Sequence, residues 1–218
     1  MNYKIYTGSG NTAMAAVKQW NPNITAALLL SPFGTIPHRN SVAPDAVQQA
    51  LNLTGKVIQA QFEYIVSSEQ NTDFRFVATM LLDAMRQCND RLREINKALG
   101  MGIYIGGNIL YVVDHTYLIL TFGGGCFFAN QNTRCIPNNE AEHSLIRDAL
   151  GSIPHWSAEF RKGQLEENGN IILLTATPGH YEEFCRELEE DPVNVLTMYA
   201  HRTFSTDDIP VAAIEFRI

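Results

Sequence analysis

Thr121-Phe122-Gly123-Gly124-Gly125-Cys126-Phe127-Phe128 sets three consecutive glycines between two apolar runs. Glycines let backbone N–H groups approach a phosphate closely, but glycine-rich nucleotide loops open directly into a helix. Here the residues after the triplet, Cys126 to Ala129, are apolar and aromatic and suit a strand, and no Lys-Ser or Lys-Thr pair comes after the glycines. The local reading is a bulge or tight turn between strands.

The sequence around this turn is β in character. From Gly102 to Ala129 the segments GIYIGG, NILYVVD and TYLILTF are separated by the turn candidates Gly106-Gly107-Asn108 and Asp114-His115, which predicts successive antiparallel strands. Residues 3–7 and the apolar run at 24–30, interrupted only by Thr25, read as further strands. Two helices lie between: one over 44–67, opened by Pro44 and kinked at Gly55, with Val47, Leu51, Ile58, Phe62 and Ile65 at helical spacing. In the other, Leu81, Met85, Cys88, Leu92, Ile95 and Leu99 form a core-facing stripe and Gly100 supplies the stop. A short helix near 140–150, an irregular stretch, a strand at 170–176, a helix at 180–190 and a strand at 210–217 complete the chain. Strands and helices are grouped rather than alternating, so the class is α+β.

A chain of 218 residues, 45% hydrophobic and 18% charged, can bury one sizeable core, and a single domain over 1–218 is expected. The formal net charge of −7 and the absence of a Lys/Arg cluster argue against nucleic acid and anionic membrane as partners. Cys88, Cys126, Cys135 and Cys185 show no CxxC spacing, and no apolar leader follows Met1, so reduced thiols in a cytoplasmic protein are the expectation. The sequons at Asn23 and Asn52 are read as chance matches. His38, His115, His143, His155, His180 and His201 show no zinc-ligand spacing. The acidic run from Glu182 to Asp191 reads as a solvated helix face.

Several fragments, taken in order, resemble the PPM-type, or protein phosphatase 2C-like, serine/threonine phosphatases. Leu30-Ser31-Pro32-Phe33-Gly34 stands where that family has a strand running into DGMGG, and Gly100-Met101-Gly102-Ile103-Tyr104 is similar to GMGTT. Phe122-Gly123-Gly124-Gly125-Cys126 is similar to VGDSR, Ala149-Leu150-Gly151 to ALG, Thr175-Ala176-Thr177-Pro178-Gly179 to the segment of SDGL, and Thr206-Asp207-Asp208-Ile209 to DNIT. The resemblance runs almost end to end. It implies two packed antiparallel sheets flanked by helices, an α-β-β-α sandwich. It also implies phosphomonoester hydrolysis by water held between two Mn²⁺ or Mg²⁺ ions, which carboxylates bind.

Those carboxylates are largely missing. Ser31, Gly124 and Thr177 occupy the positions of three family aspartates, and only Asp207 matches an acid, with Asp208 in place of the following asparagine. Register does not rescue the pattern, since there is no Asp or Glu from Met1 to Pro44, from Thr116 to Asn139, or from Asn168 to Tyr181. The arginine expected beside the first acid is absent, and the segment from Cys126 to Ala149 is short for the family. Gly34, Gly125, Cys126 and Asp208 are expected to line the cleft. A replacement nucleophile would be Cys126 with His115 or His180, an arrangement set against the commoner role of buried cysteine as a small hydrophobe.

The resulting expectation is an inactive pseudophosphatase with no cofactor, acting as a regulatory or scaffold protein on a protein partner in phosphorylation-linked signalling. The alternatives are an active Mn²⁺- or Mg²⁺-dependent phosphatase with a rebuilt site, and a small-molecule sensor using the vacated cleft.

Overall fold

The structure is a computed structural model describing residues 1–8, 13–33, 44–100, 102–129, 148–156, 158–166, 169–178, 180–201 and 211–217. Its elements run β1 (Asn2–Thr7), β2 (Met14–Asn21), β3 (Ile24–Phe33), α1 (Pro44–Ser67), α2 (Phe74–Leu99), β4 (Tyr104–Val113), β5 (Thr116–Phe122), β6 (Cys126–Ala129), β7 (Glu159–Gln164), β8 (Asn170–Leu174), α3 (Tyr181–Glu190), α4 (Pro192–Ala200) and β9 (Ala212–Arg217). Two sheets form, in the orders β1-β9-β8-β6 and β2-β3-β4-β5-β7, with every pairing between these strands antiparallel.

Three apolar layers hold the sandwich together. Alternate residues of the inner strands meet between the sheets, where Leu29, Leu110 and Ile119 of one sheet pack with Phe127, Leu173 and Ile214 of the other. The opposite faces are covered by helices. The helical stripes Val47-Leu51-Ile58-Phe62-Ile65 and Leu81-Met85-Cys88-Leu92 lie on the five-stranded sheet, while Phe184 and Leu188 of α3 and Leu196 and Tyr199 of α4 lie on the four-stranded one. This is the expected α-β-β-α sandwich.

Local chemistry accounts for the clearest boundaries. The Asp73 carboxylate accepts from Arg75 N at 2.9 Å to cap α2, and Gly100 ends it at φ 62°, a left-handed conformation that glycine adopts without a Cβ penalty. At the start of α4, Asp191 accepts from Asn194 N at 3.2 Å and Pro192 occupies the first turn.

The structure corrects several sequence expectations. Gly106-Gly107-Asn108 is not a turn, because β4 passes straight through it and two expected strands are one. Helix α1 continues through Gly55. The stretch read as irregular contains β7, and β2 and α4 are additional elements. Of the expected helix near 140–150, only Asp148, Ala149 and Leu150 fall among the described residues, and they form a turn and a bridge to Ile105 rather than a helix.

Candidate functional site

The glycine triplet carries the chain from one sheet to the other. β5 ends at Phe122, Gly123 and Gly124 turn at φ 51° and 89°, Gly125 N donates to Phe122 O at 3.2 Å, and Cys126 begins β6 opposite Leu174 of β8. Both positive φ values lie where L side chains are strained, which explains why a turn of this shape is written in glycine. The turn between strands expected from the sequence is present.

Ser31 comes to the same end of the five-stranded sheet. It pairs with Gly106 on β4, and a Cβ on Gly106 would collide with the Gly123 carbonyl, so Ser31, Gly106 and Gly123 line up across β3, β4 and the loop after β5. Ser31 is buried and its hydroxyl donates to Pro32 O at 3.3 Å. Pro32, which brings no N–H, sits past the Met14↔Leu30 pair where β2 no longer flanks β3. Gly123 is also hemmed in by the Ala149-Leu150-Gly151 segment, whose Ala149 Cα would lie 2.9 Å from a Cβ there. Leu150 in turn exchanges backbone hydrogen bonds with Ile105 at 2.8 and 3.1 Å.

Asparagines that no sequence pattern singles out fix this end. Asn108 projects between the sheets, and its Nδ2 donates to Leu174 O at 2.6 Å, tying β4 to β8. Its Oδ1 is buried without a hydrogen-bond partner among the described residues. A Cβ on Gly125 would overlap Gly107 O and approach Asn108 Nδ2 at 3.1 Å. From α2, Asn89 accepts from Gly151 N at 2.9 Å and donates to Ile153 O at 3.0 Å, and Asn96 holds both backbone groups of Ile103 at 2.8 and 2.9 Å. The Asn89 and Asn108 amides are invisible to periodicity, because their partners are distant in sequence, and half-buried Asn96 bridges the end of α2 to Ile103, just before the next strand.

The four-stranded sheet supplies the other side. Thr175 is bound to Ala212 through its backbone N–H and its hydroxyl, Ala176 exchanges hydrogen bonds with the Tyr199 hydroxyl at 3.0 and 2.7 Å, and half-buried Thr177 comes next along the chain. Cys126 is buried, and its Sγ lies 3.5 Å from Ala176 O as a thiol donor. The Cys126–His115 pairing does not form: His115 is in the β4–β5 turn at the far end of β5, about 20 Å away at the rise of an extended strand. His180 is exposed at the start of α3. Gly34, Asp207 and Asp208 lie outside the described residues.

A pair of hard divalent cations requires several carboxylate oxygens in near-octahedral geometry. Ser31 and Thr177 offer neutral hydroxyls and Gly124 offers no side chain. Among the described residues, no three His, Cys, Asp or Glu side chains converge as a metal site. The donor set described does not fit a two-metal centre. The buried acid among the described residues, Glu215, lies elsewhere and is already bound by the Tyr6 hydroxyl at 2.9 Å and by Arg217 at 2.7 Å. Burial, then the Glu215 hydrogen bond, push the Tyr6 phenol well above its ordinary range.

No family model matches the sequence, and no curated protein matches it. Solved structures do. A bacterial serine phosphatase superposes with a TM-score of 0.73 at 14% identity, covering 100% of this chain and 98% of its own. The serine/threonine phosphatase of S. agalactiae gives 0.67 at 10% identity, with 99% of each chain covered. PppA, a regulatory component of T6SS in Pseudomonas aeruginosa, gives 0.65 at 11% identity, covering 100% of this chain and 97% of its own. The fold is that of the PPM-type phosphatases. Within the PPM-type fold, the triplet Gly123-Gly124-Gly125 and Ser31 sit at one end of the sandwich, where the chain crosses between sheets. No helix among the described residues is long and apolar enough to cross a membrane.

Proposed function

We propose that this chain is a pseudophosphatase, a PPM-type fold that works by binding a protein partner as a regulator or scaffold in phosphorylation-linked signalling in the cytoplasm. The observation carrying this reading is the neutral chemistry of the sheet end: Ser31, Gly124 and Thr177 stand where the resemblance requires acids, and Gly124 holds a φ of 89° that an aspartate adopts only with strain. Phosphoryl transfer without metal or cation has nothing to offset charge on the transferring oxygens. Residues 1–218 are taken as one domain, which the shared core between the two sheets supports. A protein partner fits the net charge of −7, which disfavours polyanions, and PppA supplies an instance of the fold in a regulatory component.

Turnover of p-nitrophenyl phosphate with and without Mn²⁺ or Mg²⁺ tests the inactive reading. No metal-dependent turnover above a heat-denatured control is expected. Turnover that EDTA abolishes would instead support a rebuilt metal site.

A further inference from the structure

Helix α1 crosses the outer face of β2 and β3 at an uneven height. At Gly55 it comes so close that a Cβ would strike the end of the Met14 side chain. One turn further on, a cavity of about 250 Å³ opens over the small residues Ala16 and Ala26 and over Leu28. Its walls are Trp20 and Phe62, and Lys18, Gln59 and Glu63 stand at its polar side. It lies on the helix-facing side of the sheet, where its β3 residues Leu28 and Ala26 are three and five residues from Ser31, roughly 10 and 16 Å at strand rise.

The aromatic walls are held in place before any ligand arrives. Trp20 Nε1 donates to Glu63 Oε2 at 2.9 Å, and Lys18, itself paired with Glu63, sits 5.2 Å above the Trp20 ring centroid. Phe62 meets Trp20 edge-on at 6.3 Å and stacks on Tyr111 at 6.4 Å, while the Tyr111 hydroxyl is fixed to Asn71 O at 3.1 Å. An apolar cavity with rigid aromatic walls and a few polar groups on one side is the usual form of a small-molecule site, and rigid walls lower the ordering cost of binding.

The polar side favours one kind of group. Glu63 already accepts from two donors, whereas the Lys18 ammonium has N–H groups beyond the one it gives Glu63, and the Gln59 side-chain amide has no hydrogen-bond partner among the described residues. We propose that this cavity binds a small molecule with an aromatic body, seated over Ala16 and Ala26 against the Trp20 and Phe62 walls, and an oxygen acceptor met by Lys18 and Gln59. This site is independent of the sheet-end chemistry.

The probes are 3-phenylpropionate, its neutral amide, and propionate, titrated against the full chain. Shifts of the Trp20 indole N–H in ¹H–¹⁵N spectra are the readout, with buried Trp156 as the internal control. Both aromatic probes are expected to saturate the Trp20 signal and propionate is not. Ala16→Leu, which fills the floor, is expected to remove the response while the thermal melt stays cooperative. The double variant Lys18→Met, Gln59→Leu is expected to weaken both aromatic probes about tenfold, the scale of hydrogen bonds to a charged group. No saturable shift, propionate binding as tightly as the aromatic acid, a response that survives Ala16→Leu, or affinity unchanged in the double variant would each overturn the assignment.

Discussion

Placing an acid at Gly124, where the resemblance to the PPM-type phosphatases would have an aspartate, should damage this protein rather than activate it. Gly124 is buried at φ 89°, so any side chain there meets left-handed strain of about 1–2 kcal/mol. Gly124→Ala isolates that cost. For a chain of 218 residues, with about 2–4 °C lost per kcal/mol, alanine should lower Tm by about 2–8 °C. Gly124→Asp adds the burial of a polar group, a further ~1–3 kcal/mol, and should melt below the alanine variant. Differential scanning fluorimetry on the three proteins, with and without Mn²⁺, measures the order. An aspartate variant as stable as the parent, or one selectively raised by Mn²⁺, would defeat this expectation, since it would mean that groups able to complete a metal site surround the turn.

Other outcomes rest on the same structure. Gly106→Ala would drive a methyl into the Gly123 carbonyl, and a loss of about 3 kcal/mol is expected in urea unfolding; a loss below ~1 kcal/mol would show that the strand ends part easily. The Cys88 thiol, pushed up to about 12 by burial, should resist alkylation at pH 8 until the protein unfolds, while half-buried Cys185 labels before it; equal native rates for these two would contradict the packing of α2. Hydrogen bonds from Lys18 and then Trp20 hold the Glu63 carboxyl below its ordinary range, so its contribution is present above the unfolded value and is lost only as pH falls through the lower folded value. The Trp20 indole N–H resonance should therefore report a Glu63 midpoint below that of an ordinary glutamate, and a midpoint at or above the ordinary value would break the assigned pairing.

What the sequence revealed depended on whether its signal was local. The extent of α1 was readable because Pro44 opens it and apolar residues recur at helical spacing, and the stop of α2 was readable from Gly100. The strand β2 has a run of small and mixed residues, MAAVKQWN, whose faces differ too little for alternation to show. The strand β7, EFRKGQ, is a charged edge strand that resembles a loop in composition. Gly106-Gly107 imitates turn chemistry, yet its glycines are required because Gly123 and Leu29 press against β4 from neighbouring elements. At the candidate site, the turn was legible in the glycine triplet. The clamps made by Asn89 and Asn108 were not, since each joins segments far apart in the chain, and neither was the reach of Asn96 to Gly151.

The absence of a two-metal centre is the claim on which the functional reading stands, and calorimetric titration of the full chain with Mn²⁺ tests it, because it also samples Asp207 and Asp208. A pseudophosphatase should give no saturable two-ion isotherm at millimolar Mn²⁺, with melting curves that superpose in Mn²⁺ and in EDTA; one weak ion at Asp207 is compatible with it. A stoichiometry of two, accompanied by a rise of several degrees in Tm that EDTA reverses, would overturn that reading.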